Sequence, residues 1–324
     1  MKIKMLQNLL LIAGLAVIGL QVQGQTFQDA VNAYNSGLDL IESDISAAIA
    51  SIEKSYEIAS ALGEEGEEVK IQAENQIPGL YYQKGVNLYR ERNIDQAIVA
   101  FVEAVEVSEK FNDANSKTRS ETLLHQLYAI QANSVFRENN NDKALELYDK
   151  ALAINPQHAR SHLGKALVYR RLEDTDSFKE SVDMAIETGL TTNEEQIIQT
   201  AESTARDYFL VRSVKAKSEN NLTQAAEMIN HSFSYDQSFA ESYFLLASIQ
   251  NEQSRFQDAV KNSQKALELL NGSREETAKV HFELAKAYEG LGNTSQACAS
   301  YKNASFGQYE ASAQYQIEHV LKCQ

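Results

Sequence analysis

The chain has no tryptophan, two prolines and two cysteines in 324 residues, and only 14 glycines. So few obligatory backbone breaks suit an almost wholly helical chain. Basic residues are outnumbered, 30 Lys and Arg against 45 Asp and Glu, for a formal charge of −15. A chain this acidic repels nucleic acid and anionic lipid on average, which removes both from the expected partners. Phosphate-cradling loops, HExxH, nucleophile elbows and CxxC pairs are all missing, so no catalytic role and no cofactor is expected.

The first 24 residues differ from the rest. Lys2 and Lys4 precede an apolar run from Leu9 to Leu20, followed by Val22-Gln23-Gly24. The run is shorter than the ~20 apolar residues that span a bilayer, and its flanks are those of a secretory signal peptide. Cleavage after Gly24 leaves Gln25 as the new N-terminus and no integral membrane segment. No cysteine lies near that point to carry a lipid. Export to the periplasm is expected, with an extracellular or outer-membrane-associated location as alternatives.

A triplet of small residues, the second twelve positions and the third nineteen positions after the first, recurs along the rest of the chain. It reads Gly85/Ala97/Ala104, Ala132/Ala144/Ala151, Ser213/Ala225/Ser232, Ala247/Ala259/Ala266 and Ala285/Ala297/Ala304. Ala166/Phe178/Ala185 has a ring in the middle, and Ser36/Ala48/Ser55 is a weaker copy. Small residues at this spacing let two antiparallel helices approach closely. A ring stands four residues before most first members (Tyr81, Tyr128, Phe209, Tyr243), replaced by His162 and His281 in two copies. A bulky residue follows the middle member by four: Phe101, Tyr148, Val182, Ile229 and Tyr301. A hairpin of this kind cannot bury its own apolar face and needs copies of itself.

This combination resembles the tetratricopeptide repeat, most clearly at Tyr148–Pro156, YDKALAINP. Ala132 to Ala166 and Ser213 to Ala247 are each 34 residues, the period of that repeat. The resemblance implies an all-α, right-handed superhelical solenoid of about seven helical hairpins with a C-terminal capping helix. The expected divisions are a weak first repeat and charged hinge over 25–68, central repeats over 69–190, C-terminal repeats over 191–306 and a cap over 307–324. The mature chain also resembles exported proteins of the Bacteroidetes group. Three longer intervals contain helix formers with apolar periodicity, so lengthened first helices are expected before Tyr81, Tyr128 and Phe209. Tyr315, Val320 and Leu321 are read as the apolar face of the cap.

The resemblance also places a concave face along the first helices. It would present Tyr82, Tyr89 and Arg90, then Asn133, Phe136 and Arg137, then Arg160, Leu163, Arg170 and Arg171, and finally Lys217. Guanidinium forks beside rings suit a protein or peptide partner bearing acidic groups or a C-terminal carboxylate. A non-catalytic interaction scaffold of the bacterial envelope is the expected function; a periplasmic binding protein for a small acidic solute or glycan is the alternative. Asn133 fits one role of the family's carboxylate-clamp adaptors, but the full set is not matched and that specificity is not carried over. His158 and His162 stand four apart with no third ligand evident, so no metal site is expected. Cys298 and Cys323 are a disulfide candidate. A straight-helix estimate staggers them by ~10 Å, leaving a bond and two free thiols as alternatives.

Overall fold

The computed structural model describes residues 24–270 and 272–324. The leader expected over 1–24 therefore lies, except for Gly24, outside the described residues. Among the described residues every regular element is helical. The chain forms two compact units. The first, ending at Glu121, contains α1 (Phe27–Leu40), α2 (Ile45–Ala61), α3 (Glu67–Arg90), α4 (Ile94–Lys110) and the start of α5 (Ala114–Arg137). The second, Thr122–Gln324, contains the rest of α5, then α6 (Asn141–Ile154), α7 (Ala159–Leu172), α8 (Thr175–Thr192), α9 (Glu195–Ser218) and α10 (Leu222–Phe233). It continues through α11 (Ala240–Glu252), α12 (Phe256–Leu269), α13 (Arg274–Gly290), α14 (Thr294–Ala304) and a short α15 (Glu310–Tyr315). Among the described residues odd and even helices pair as seven consecutive hairpins, α1 with α2 through α13 with α14. The lengthened first helices are present: α3, α5 and α9 each run for 24 residues. Pro78 lies inside α3 and is buried.

The small-residue triplet forms the seam of the second to seventh hairpins. Ala97, Ala104, Ala144, Ala151, Phe178, Ala185, Ala225, Ala259, Ala266, Ala297 and Ala304 are all fully buried. Where serine replaces alanine, its hydroxyl finds a carbonyl: Ser213 Oγ donates to Ala225 O at 2.8 Å and Ser55 Oγ to Ala30 O at 2.7 Å. Phe101, Tyr148, Val182, Ile229 and Tyr301 wedge into the interior at 0–1% exposure. In the sixth hairpin that place falls to Ser263, which is buried with its hydroxyl unpaired among the described residues.

Six of the seven hairpin turns share one construction. Seven residues after the first small residue, the chain enters the left-handed region at Arg92, Asn139, Glu173, Asn220, Ser254 and Gly292. The N–H of the next residue then donates to the carbonyl five residues earlier at 2.8–3.1 Å, satisfying a carbonyl that the ending helix leaves free. That same residue, Asn93, Asn140, Asp174, Asn221 or Asn293, caps the following helix through its side chain. In the first hairpin the two buried small residues stand one position closer in sequence than in the others, and this changes the seam. Gly37, not the expected Ser36, is the buried small residue, and a methyl group there would meet Ile52 at 2.6 Å.

The cap also departs from expectation. It is not one α-helix: a 3-10 turn over Gly307–Tyr309 precedes α15, and a π-turn over Gln316–Val320 follows it. Ala313, Ile317 and Leu321, spaced i, i+4, i+8, cover Tyr301 and Phe282. Tyr315 and Val320, at 58% and 46% exposure, face away. The stagger estimated for two straight helices therefore never accumulates. Cys298 and Cys323 are joined in a disulfide with their Cα atoms 5.7 Å apart.

Candidate functional site

Within the second unit, α5 and α7 bring several of the expected residues together. Asn133 Nδ2 donates to Ala129 O of its own helix at 2.9 Å, and its Oδ1 accepts from the hydroxyl of the wedge Tyr148 at 2.9 Å. One turn further, the Arg171 guanidinium lies 3.6 Å over the Phe136 ring. Arg171 Nη1 also donates to Phe136 O at 2.6 Å and to Asn141 Oδ1 at 3.3 Å. Arg171 thus ties the end of α7 to the end of α5, a positioning role rather than a free cation. Arg137 and Arg170 are exposed, and neither forms an ion pair among the described residues. Phe136 carries Arg171 on its face, and Arg137 follows it in sequence on α5.

Toward the other end of the same two helices lies a cavity of about 470 Å³ lined by Ala129, Ile130, Asn133, His158, Arg160 and Glu194. Arg160 Nε is 3.5 Å from Glu194 Oε2, so this guanidinium is partly neutralised. The imidazoles of His125 and His158 meet edge to face at 4.8 Å. Burial, with His125 second, pushes the His158 imidazole down to about 4. His158 Nδ1 shares a hydrogen bond with Ser161 Oγ at 2.7 Å, and His162 Nε2 with Pro156 O at 3.0 Å, so the two do not converge on a common point.

Two expected residues are placed differently. Leu163 is not on an open face: at 8% exposure it belongs to the core with Ala166, Phe178, Val182 and Phe209. The i, i+3 step that connects it to Arg160 carries it round to the seam side of α7. Lys217 is engaged, with Nζ 2.8 Å from Glu252 Oε1 and donating to Ser248 Oγ at 3.0 Å.

In the first unit, Tyr82 is half-buried between the Phe101 ring, 5.9 Å away, and the Arg119 guanidinium, 4.0 Å above its ring. Tyr89 is 40% exposed. Arg90 lines a separate cavity of about 600 Å³ with Lys84, Asn87, Glu91 and Asp44. Sequence reasoning did not single out Arg119 or Glu194. Arg119 lies in the helical segment added to α5 and Glu194 stands just before the one added to α9, where no repeat position assigns either a direction.

Two tetratricopeptide-repeat family models match the chain, one over residues 131–187 and another over 278–305. No curated protein matches it. Among solved structures, YrrB, described as a TPR protein with an unusual peptide-binding site, is 19% identical with a TM-score of 0.34; the match covers 68% of this chain and 95% of that one. A tetratricopeptide repeat protein from Parabacteroides merdae is 15% identical with a TM-score of 0.32, covering 92% of this chain and all of that one, 100%. The TPR2AB domain of yeast Sti1 in complex with pHSP90 is 14% identical with a TM-score of 0.30, covering 89% and 93%.

Proposed function

From the premise that this chain is a tetratricopeptide-repeat protein, we propose that it is a non-catalytic scaffold of the bacterial envelope. It holds a peptide segment of a partner protein against the α5 and α7 face. Stacked hairpins supply extended surfaces rather than reaction centres, and repeats of this type generally serve as scaffolds. The observation that supports this face is the pairing state of its arginines. In a chain of charge −15, most cations are taken up by neighbouring carboxylates. Arg137 and Arg170, the sequence neighbours of Phe136 and of the Arg171 stacked on it, are exposed and form no ion pair among the described residues.

These residues suit an acidic side chain with an apolar neighbour, or a C-terminal carboxylate preceded by an apolar residue, because a guanidinium fork pairs with carboxylate and the ring buries the neighbour. The alternative of a small acidic solute in the 470 Å³ cavity is disfavoured, since the cation there, Arg160, already faces Glu194. Export is inferred from the leader pattern of residues 1–24. In the fractionated native host the mature protein should start at Gln25 by N-terminal sequencing.

The binding test is a pull-down from envelope extract with the native chain beside Arg137→Glu/Arg170→Glu. A partner lost only from the variant, with its helical signal unchanged, supports the face. A partner retained by both forms rules it out. The pair chosen avoids Arg171, because its loss would also untie α7 from α5.

A further inference from the structure

The cavity at the start of α7 and α9 has a charge pattern that the partner face does not use. Gln126, Ala129, Ile130 and Asn133 of α5 form one wall; His158 and Arg160 at the start of α7 and Glu194 just before α9 complete it. Its volume of about 470 Å³ falls within the ~300–1,000 Å³ of small-molecule sites. The groups on it are open to a ligand. The Arg160 side chain is 70% exposed and that of Glu194 30%. Gln126 and Asn133 are exposed, and so is Ile130, at 44%.

One cation and one anion face this space, and they hold each other loosely. Arg160 Nε stands 3.5 Å from Glu194 Oε2, longer than a good hydrogen bond. An exposed pair of this kind contributes about 0–1 kcal/mol, so a ligand replaces it at small cost. Glu194 Oε1 accepts from Thr192 Oγ1 at 3.0 Å, which holds the carboxylate in place. His158 is the remaining titratable group of the lining. Burial lowers its pKa to about 4, so it is neutral at pH 7 and the lining carries no net charge. A purely acidic solute meets Glu194 and a purely cationic one meets Arg160, so each is repelled by half of the site; a ligand carrying both signs is attracted by both halves. The helix starts divide the same way. α7 has no acidic residue in its first turn, whereas α9 opens with Glu194 and Glu195, so the positive end of the helix dipole is uncompensated only on the Arg160 side.

We propose that this cavity binds a free α-amino acid with an aliphatic side chain. The ligand carboxylate takes the Arg160 fork and the ligand ammonium takes Glu194. Its two charges sit on one carbon, matching two protein groups that stand side by side. The Gln126 amide has no hydrogen bond of its own among the described residues and is available to the ligand. Asn133 Nδ2 donates one N–H to Ala129 O at 2.9 Å and keeps a second. Ile130 supplies the apolar surface against which the ligand side chain packs.

The intact protein is titrated with L-leucine, with N-acetyl-L-leucine, which lacks the ammonium, with L-leucinamide, which lacks the carboxylate, and with glycine, which lacks the side chain. Affinity is read by calorimetry, and the Ile130 methyl and Gln126 side-chain amide signals by NMR. Saturable binding of L-leucine that shifts both signals, with each analogue at least tenfold weaker, supports the assignment. Arg160→Gln should remove the preference for L-leucine over L-leucinamide, and Glu194→Gln the preference over N-acetyl-L-leucine, with the helical signal unchanged. A merely structural role for either residue would lower all of these affinities together. The assignment is overturned by an absence of shifts at millimolar L-leucine, by any analogue binding as tightly, or by an unchanged affinity in Arg160→Gln. D-glucose shifting the same signals where L-leucine does not would assign the cavity to a neutral polyol and overturn it equally. None of these readouts depends on Arg137 or Arg170, so this site and the partner face fail or stand separately.

Discussion

The lack of a side chain at Gly164 is what lets the core reach the surface there. A Cβ there would lie 2.3 Å from Tyr148 Cζ and 2.6 Å from its hydroxyl oxygen, and Tyr148 has nowhere to go at 1% exposure. Gly164→Ala should therefore destabilise the protein by roughly 1–3 kcal/mol in urea unfolding. It should also release Asn133 from the Tyr148 hydroxyl, weakening the partner site beyond the stability loss. His158 gives a pH dependence of defined sign. Its folded pKa is about 4, below the ~6.5 of an unfolded histidine, so its contribution is complete above pH 6.5 and is lost as pH falls toward 4. The ring is only partly buried, so about 1–2 kcal/mol is expected after allowing for solvent screening. The urea midpoint of the native chain should fall between pH 7 and pH 5, and less steeply in His158→Gln.

Turns and caps carry the next tier of energy. Ser254 occupies the left-handed position that Gly292 fills in the last hairpin, and a side chain there is strained. The following residue is Arg255, the one member of its set that does not cap its helix through a side chain; it pairs with Asp258 instead. Ser254→Gly should stabilise by about 0.5–1 kcal/mol, and adding Arg255→Asn should contribute about 1 kcal/mol more. A thermal shift of the double variant measures both. At the C-terminus the disulfide closes a loop with a sequence separation of 25, for which chain entropy gives about 3–4 kcal/mol. Cys323→Ser should lower stability by up to that amount, with amide-exchange protection lost first over 307–324. A global loss of protection at equal rates would show that the cap has no separate anchoring role.

At the scale of the whole molecule, charge decides how the proposed partner is met. A chain of −15 repels an acidic segment except where cations stand free, so attraction to the Arg137 and Arg170 patch is short-ranged and screened. Affinity for an acidic peptide should fall severalfold between 50 and 500 mM NaCl, and this slope should flatten in Arg137→Glu/Arg170→Glu. Binding indifferent to salt in the native chain would argue against guanidinium contacts as its source.

The hairpins, their seams and the three long first helices were legible in the chain because each depends on local periodicity. A small residue that recurs at +12 and +19 has one use when two helices are joined by a fixed turn, and serine could stand for alanine because a carbonyl faces it. The partners of long side chains were not legible. Arg171 and Arg137 are neighbours of the same kind on consecutive first helices, yet one is stacked on Phe136 and the other is free. Leu163 follows Arg160 by three residues and lies in the core. Asn251 and Gln316 are far apart in sequence and line one cavity because the cap returns through a π-turn, a feature no repeat pattern encodes. The sequence by itself determined the repeated hairpin, since backbone packing is a short-range property of spacing. Only the tertiary structure decided which cations and amides are left without partners, because that depends on contacts between segments distant in the chain.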